Sequence, residues 1–426
     1  MSATQPHRLR SIIGGSAGNL VEWYDWYAYS AFSLYFAHAF FPSGDATLEQ
    51  LNSAAVFAVG FVMRPIGAWI MGVYADRHGR KAGLTLSVTL MCLGSLAIAV
   101  TPGYDRIGVV APVILVLARL VQGLSVGGEY GASATYLSEM AGRDHRGFFS
   151  SFQYVTLISG QLLALFLLLV LQRVMPVAAL DAWGWRIPFA VGGLLAVAVF
   201  YIRRGLAETQ SFRNAHADGA PRSSAWALFR DHPRQAFTVI ALTAGGTLAF
   251  YAYSTYMQKF LADTAGFGRE TATAISAAAL FVYMLLQPAA GALSDRIGRK
   301  PLMVGFGLLG AAFTWPIFTT LETVRSPFAA FGLVLAALAI VTGYTSINAV
   351  VKAEMFPAHI RALGVALPYA IANAAFGGTA EFVAQWFKHV GNERGFYLYV
   401  TGMILVSLVT YLTMRDTKRH SLIAED

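Results

Sequence analysis

Hydrophobic residues gather into twelve long runs along the chain, and short polar segments separate the runs. A helix needs about 20 predominantly apolar residues to cross the hydrocarbon core of a bilayer, and each run has about that length. The pattern therefore predicts an all-α integral membrane protein with twelve transmembrane helices. The predicted spans are about 16–40, 51–75, 83–101, 110–138, 147–172, 186–203, 236–262, 272–293, 301–320, 328–351, 361–387 and 395–414.

Two polar turns occur twice, at matching places in the order of the spans. GVYADRHGRK at 72–81 returns as GALSDRIGRK at 291–300, and SEMAGRDHRG at 138–147 corresponds loosely to AEMFPAHIRALG at 353–364. Such duplication predicts two related six-helix halves, a design that suits a transporter better than an enzyme. The predicted parts are an N-terminal half at 1–203, a cytoplasmic linker at 204–235 with a short amphipathic helix near 223–230, a C-terminal half at 236–414 and a cytoplasmic tail at 415–426.

Composition excludes a soluble protein, because 56% of the residues are hydrophobic and only 13% are charged, against about 25% charged in soluble domains. Basic residues concentrate near both termini, in the linker and in the repeated turns. The positive-inside rule then predicts a multi-pass protein of the bacterial inner membrane with both termini cytoplasmic. The net charge of +8 reflects this topology and gives no reason to expect nucleic-acid binding.

Two acids stand in the first predicted span, where a charge is costly and marks a functional site by default. Glu22 and Asp25 are spaced i and i+3, so both can face the interior of the bundle. Burial favours the neutral form of a carboxylic acid, and a nearby arginine favours the charged form. We predict that Asp25, or less well Glu22, carries the coupled proton. The alternative is an acid that only pairs with an arginine to hold helices together.

Two arginines fall inside other spans and predict an anionic substrate. Arg119 lies near the middle of the fourth span, where it is the natural partner of a first-span acid. Arg64 precedes Pro65 in the second span, and proline can bend a helix so that a side chain turns toward a cavity. Arginine binds carboxylates through two parallel hydrogen bonds and stays charged. The alternative for Arg64 is a structural ion pair.

Uncharged polar residues in the spans can orient a carboxylate without adding charge. The candidates for substrate contact are Gln122, Gln153, Tyr154, Tyr253 and Tyr256, although membrane tyrosines also serve as interfacial anchors. Lys259 and Glu381 fall near the outer ends of their spans and are candidates for an extracellular gate. Lys352 falls at the inner end of the tenth span, where we assign it to the inner turn.

The repeated turns carry acids as well as basic residues. Asp76 and Asp295 can each accept backbone donors at a helix N-terminus, and an arginine of each turn can pair with a glutamate at a neighbouring helix end. Positive charge that only directs membrane insertion is the alternative, but it does not explain the acids. The predicted members of a cytoplasmic gate are Asp76, Arg80, Glu139, Asp295, Arg299 and Glu354.

These motifs resemble the major facilitator superfamily, whose GxxxDRxGRK pattern is met in both halves. NLVEWYDWY at 19–27, MRPIG at 63–67, LARLVQGLSVGGEYG at 117–131 and AEMFP at 353–357 resemble its metabolite:proton symporter family. SLYFAHAFFPSG at 33–44, SFQYVTLISGQLLAL at 151–165, WGWRIPF at 183–189 and YMQKFL at 256–261 resemble the bacterial α-ketoglutarate carriers of that family.

This resemblance implies proton-coupled uptake of α-ketoglutarate or a related dicarboxylate by alternating access. It also implies that the repeated turns close the cytoplasmic side in the outward-open state. Asp25 and Arg119 match the aspartate of helix 1 and the arginine of helix 4 that pair in proton-coupled sugar porters. Citrate, or a zwitterion such as a betaine or proline, is the alternative substrate.

Other classes of function find little support in the chain. It contains no HExxH, GxSxG or P-loop pattern, so we expect no enzyme activity, no catalytic residues, no metal site and no cofactor. A channel has no need of repeated gate turns. The expected partners are a small anionic substrate, protons and the lipid bilayer, and we expect a monomer.

Overall fold

The computed structural model describes residues 5–78, 80–127, 129–139, 141–204, 224–357 and 360–423, which are helical almost throughout. We number the membrane helices α1 to α12, and the segments of an interrupted helix share one number. Their bounds are α1 Gln5–Phe40, α2 Ala46–His78, α3 Arg80–Val100, α4 Val110–Val126 and Glu129–Glu139, α5 Arg146–Val174, α6 Ile187–Arg204, α7 Pro233–Tyr253 and Thr255–Asp263, α8 Arg269–Ile297, α9 Arg299–Thr323, α10 Pro327–Thr345 and Asn348–Glu354, α11 Arg361–His389, and α12 Glu393–Thr413.

The chain is an all-α membrane protein of twelve membrane helices in two six-helix halves, as the sequence predicts. Within the described ranges, nine helices are long and apolar enough to span a bilayer on their own. Two apolar segments, Thr85–Val100 and Val110–Val126, are shorter, and α1 carries two acids. The outer surface is apolar, with Trp69 and Phe237 exposed, whereas Asp25 is buried. This distribution, with apolar side chains outside and the acid inside, is the one expected of a helix bundle in a bilayer.

A short helix, Ala225–Asp231, precedes α7 and confirms the amphipathic helix expected near 223–230. Its Leu228 is buried against Val239 of α7 and Phe356, which follows α10. The linker is thus anchored to the C-terminal half at this point. Two further short helices, Tyr104–Ile107 and Val177–Ala182, precede α4 and α6.

The two halves meet along two long contacts, α5 with α8 and α2 with α11. Within the N-terminal half, α2 and α4 approach closely because glycines face each other. A Cβ on Gly123 would lie 2.0 Å from the carbonyl oxygen of Gly60, and one on Gly127 would lie 2.1 Å from that of Arg64. Glycine permits such approach between helices in lipid. The close contact carries Arg64 and Arg119 toward each other.

Four helices that meet at the centre, α4, α7, α10 and α11, are interrupted within the spans that the sequence predicts. In α7 the break is at Ser254, whose hydroxyl donates to the carbonyl oxygen of Phe250 at 2.6 Å. In α11 one π-helical turn, Asn373–Gly377, interrupts the α-helix. Interrupted membrane helices are common where a transporter binds its substrate, and π-turns often mark functional sites.

Candidate substrate and proton site

Two buried arginines share one tryptophan near the middle of the N-terminal half. The guanidinium carbon of Arg64 lies 4.3 Å from the centre of a Trp26 ring, and that of Arg119 lies 3.9 Å from it. Arg64 also lies 3.8 Å from the ring centre of Phe61, and Arg119 lies 4.5 Å from that of Tyr29. Cation–π contact stabilises a guanidinium without using its hydrogen-bond donors.

Those donors are largely unused. The Nε and Nη2 atoms of both Arg64 and Arg119 are buried without a hydrogen-bond partner in the described structure. Neither arginine forms an ion pair with a described carboxylate. Buried polar groups are nearly always hydrogen-bonded, so four unsatisfied cationic donors require an explanation. An anion between the two guanidinium groups would satisfy them.

Asp25 is linked to Arg119 through a glutamine. The side-chain amide of Gln122 donates to Oδ2 of Asp25, and its oxygen accepts a hydrogen bond of 2.7 Å from Nη1 of Arg119. The hydroxyl of Ser95 donates to the other carboxylate oxygen, Oδ1. The direct Asp25–Arg119 pair that the sequence predicts is therefore replaced by a bridged one. Gln122, a candidate for substrate contact, orients both charged groups here.

Glu22 lies one turn before Asp25 and faces the same helices. Its Oε1 accepts hydrogen bonds from Ser87 of α3 at 2.9 Å and Ser125 of α4 at 3.5 Å. Both acids are almost fully buried and point into the N-terminal half. Serine hydroxyls can serve either protonation state of a carboxyl group, since they both donate and accept.

The candidate tyrosines of α7 point away from the arginines. Tyr253 hydrogen-bonds to Thr314 of α9, and the hydroxyl of Tyr256 donates to Glu393 of α12 at 3.1 Å. Tyr251 takes the central place, with its ring centre 5.4 Å from that of Phe61. The sequence predicts a tyrosine-rich helix but does not give its rotation, so it does not distinguish Tyr251 from Tyr253 and Tyr256.

The candidates of α5 face the other half. Gln153 and Tyr154 are buried, and the ring centre of Tyr154 lies 5.4 Å from that of Phe250 in α7. Nearby, Gln161 and Gln258 line a cavity with room for about one water molecule. This cavity is too small for a dicarboxylate.

A buried ion pair lies at the end of the bundle that the sequence predicts to be the outer one. Lys259 of α7 hydrogen-bonds to Oε1 of Glu381 in α11, and both side chains are buried. Ser30 of α1 donates to Oε2 of Glu381 at 2.8 Å and accepts from Lys259 at 3.0 Å. Because Ser30 belongs to the opposite half, these bonds link the two halves at this end.

Asp295 caps a helix of the other half at the end of the bundle that the sequence predicts to be the inner one. Its carboxylate accepts hydrogen bonds from the backbone nitrogens of Gly147 at 2.8 Å and Phe148 at 2.9 Å, in the first turn of α5. Arg299 donates to the same carboxylate at 2.8 Å. The free donors of a helix N-terminus favour such an anion.

Glu354 and the C-terminal tail extend this inner contact. Arg299 Nη2 lies 3.4 Å from Glu354 Oε1, and Thr417 donates to Oε2 of Glu354 at 2.6 Å. Ser421 of the tail accepts a hydrogen bond of 3.3 Å from Arg146, which belongs to the N-terminal half. The tail therefore contacts both halves, which the sequence pattern does not predict. The side chains of Asp76, Arg80 and Glu139, the N-terminal copy, lie outside the described residues.

Comparison with known proteins agrees with this geometry. The family model "Sugar (and other) transporter" matches residues 12–219 and again residues 210–426. The chain belongs to this transporter family. The transporter is 55% identical to the alpha-ketoglutarate permease of Escherichia coli (strain K12), over 97% of this chain and 95% of the permease. It is 33% identical to a citrate-proton symporter of Klebsiella pneumoniae, over 97% and 96% of the two chains.

The fold of the transporter matches that of the D-xylose-proton symporter. The TM-score is 0.79 at 19% sequence identity, covering 98% of this chain and 100% of the other. This likeness confirms the major facilitator fold. The relatives are transporters, and the chain is likewise a transporter and not an enzyme.

Proposed function

We propose that the transporter carries α-ketoglutarate or a related dicarboxylate into the cell together with protons, by alternating access. The observation that carries this proposal is the pair of buried arginines on Trp26, whose Nε and Nη2 donors have no partner. The 55% identity to an alpha-ketoglutarate permease supports this choice of substrate. A sugar would leave Arg64 without a compensating charge, because Gln122 links Asp25 to Arg119 and not to Arg64.

Coupling to protons follows from the bridge between Asp25 and Arg119. Gln122 contacts both side chains, so any movement of Arg119 toward a bound carboxylate shifts the partner of Asp25 as well. With Arg119 engaged elsewhere, the charged form of Asp25 loses stabilisation, and protonation becomes more favourable. Substrate binding and proton binding thereby favour each other, which is the thermodynamic requirement for symport.

Protons that move with the substrate also offset the electrical cost of importing a dianion. Inward movement of a dianion against a negative-inside potential costs about 2.3 kcal/mol per charge per 100 mV. Two or more protons moving with each dianion offset that cost. Asp25 is the first proton site in this scheme, and Glu22, held by Ser87 and Ser125, is a second candidate.

The contacts at the two ends act as alternating gates in this scheme. Asp295, Arg299 and Glu354 close the cytoplasmic side, with the repeated turn of the N-terminal half as their counterpart. Lys259, Glu381 and Ser30 close the outer side. Rocking of one half against the other breaks one set while the other set holds.

We further propose the membrane arrangement that the charge pattern implies. The transporter acts as a monomer in the bacterial inner membrane, with both termini in the cytoplasm. Residues 1–203 and 236–414 are its two halves, residues 204–235 the linker and residues 415–426 the tail.

Counterflow in proteoliposomes tests the substrate. Labelled α-ketoglutarate is expected to exchange, and unlabelled α-ketoglutarate and succinate are expected to compete more strongly than citrate or betaine. A betaine cage is disfavoured because guanidinium groups already occupy the Trp23 and Trp26 faces. Strong competition by betaine, without competition by dicarboxylates, would refute the assignment. If citrate is the best competitor, the assigned substrate becomes a tricarboxylate.

A further inference from the structure

Lys352 is a buried cation that the arrangement above does not use. It lies in the second segment of α10, Asn348–Glu354, with a fully buried side chain. Its ammonium nitrogen donates to Asn348 Oδ1 at 2.7 Å and to the hydroxyl of Tyr130 at 3.2 Å. It also lies 3.8 Å from the ring centre of Tyr369 and 5.2 Å from that of Tyr130.

All of these contacts are neutral. No carboxylate in the described ranges forms an ion pair with Lys352, whereas the other fully buried lysine, Lys259, is paired with Glu381. An ammonium group held away from both water and an anion is destabilising to the fold. A purely structural role does not account for this placement, whereas binding of an anionic ligand does.

The position of Lys352 is at the seam between the halves. Tyr130 comes from α4 and stacks on Tyr369 of α11, with ring centres 3.9 Å apart. Tyr130 also donates to Asn348 at 3.0 Å, so this tyrosine contacts both Lys352 and the asparagine that Lys352 binds. In the rocking motion of the proposed function, opening toward the cytoplasm would separate α4 from α10 and α11. Tyr130 would then leave the ammonium group of Lys352, and a substrate between the halves could reach it.

We propose that Lys352 is the group of the C-terminal half that binds the second carboxylate of the substrate, while Arg64 and Arg119 of the N-terminal half bind the first. This inference rests on the proposed function. A dicarboxylate then joins the two halves through charges at both of its ends. A monocarboxylate satisfies the arginines alone and leaves Lys352 unpaired, so Lys352 selects for the second carboxylate.

The test compares two keto acids that differ in the second carboxylate, α-ketoglutarate and pyruvate, by equilibrium binding to purified wild-type and variant proteins. Lys352→Gln is expected to weaken α-ketoglutarate binding about 10- to 100-fold, since one hydrogen bond to a charged group is lost. Pyruvate binding is expected to stay within about twofold. Lys388→Gln, a partly exposed lysine at the outer end of α11, is the matched control and changes neither.

Stability separates this role from a structural one. Removing an unpaired buried charge should leave the melting temperature of the ligand-free protein unchanged or raised, and Lys352→Met should behave like Lys352→Gln. Equal weakening for both keto acids, or no change for either, would overturn the assignment of Lys352. Wild-type protein that binds pyruvate but not α-ketoglutarate would instead refute the proposed function, and the role of Lys352 with it.

Discussion

Replacement of Arg64 by glutamine tests whether the two arginines form an anion site or a structural pair. The side chain of Arg64 is buried, and its Nε and Nη2 have no hydrogen-bond partner. In our account these donors bind a substrate carboxylate. Glutamine keeps one amide donor but loses the charge and the two-pronged geometry.

The expected loss follows from those two donors. A hydrogen bond to a charged group contributes about 1.5–3 kcal/mol. Loss of two such bonds, partly compensated by the glutamine amide, weakens α-ketoglutarate binding by about 3 kcal/mol, or about 150-fold in Kd. Stability of the ligand-free protein should change little. Loss of cation–π contact with Trp26 and Phe61, about 0.5–2 kcal/mol, is opposed by removal of an unpaired buried charge.

Calorimetric titration and thermal melting of the same preparations measure both quantities. Arg230→Gln is the matched control, because Arg230 lies in the short linker helix and its side chain is 66% exposed. The control should leave the Kd and the melting temperature unchanged. The reasoning would be refuted by an Arg64→Gln protein that binds α-ketoglutarate normally but melts at a much lower temperature. That result would make Arg64 a structural residue.

Three further substitutions test other parts of the account. Asp25→Asn should abolish proton-driven accumulation in proteoliposomes but retain counterflow, and unchanged accumulation would remove Asp25 from the coupling. Gly123→Ala places a Cβ 2.0 Å from the Gly60 carbonyl oxygen. We expect about 1–3 kcal/mol of destabilisation, seen as a lower melting temperature. An unchanged melting temperature would mean that α2 and α4 separate easily. Asp295→Asn weakens the cap on Gly147 and Phe148. It should increase the labelling rate of a cysteine introduced at the cytoplasmic face, and an equal labelling rate would argue against a gate.

The sequence predicts the helices well because the spans are long and the repeated turns mark matching places in both halves. It also identifies Arg64, Arg119 and Asp25, since a charge within an apolar run is conspicuous. The bridge through Gln122 could not be foreseen, because it depends on how α1 and α4 pack. The π-helical turn in α11 likewise leaves no mark in the apolar pattern.

The rotation of each helix about its own axis is the main property that the hydrophobic pattern does not give. Helices buried on most sides have weak amphipathicity, so their rotation cannot be read from periodicity. For this reason Tyr253 and Tyr256 seemed as suitable as Tyr251, although only Tyr251 lies near Phe61 and Arg64. Lys352 was assigned to the inner turn from its position along the span. Its cage of Tyr130 and Tyr369 is formed by residues from two other helices.

The central claim is that dicarboxylate movement and proton movement are one process. The most direct measurement imposes an inward α-ketoglutarate gradient on proteoliposomes with no pH gradient, clamps the membrane potential at zero, and follows lumenal pH with a trapped dye. Our account predicts acidification that requires α-ketoglutarate and is absent with Asp25→Asn. Entry of labelled α-ketoglutarate at a normal rate, without any change of lumenal pH, would contradict it.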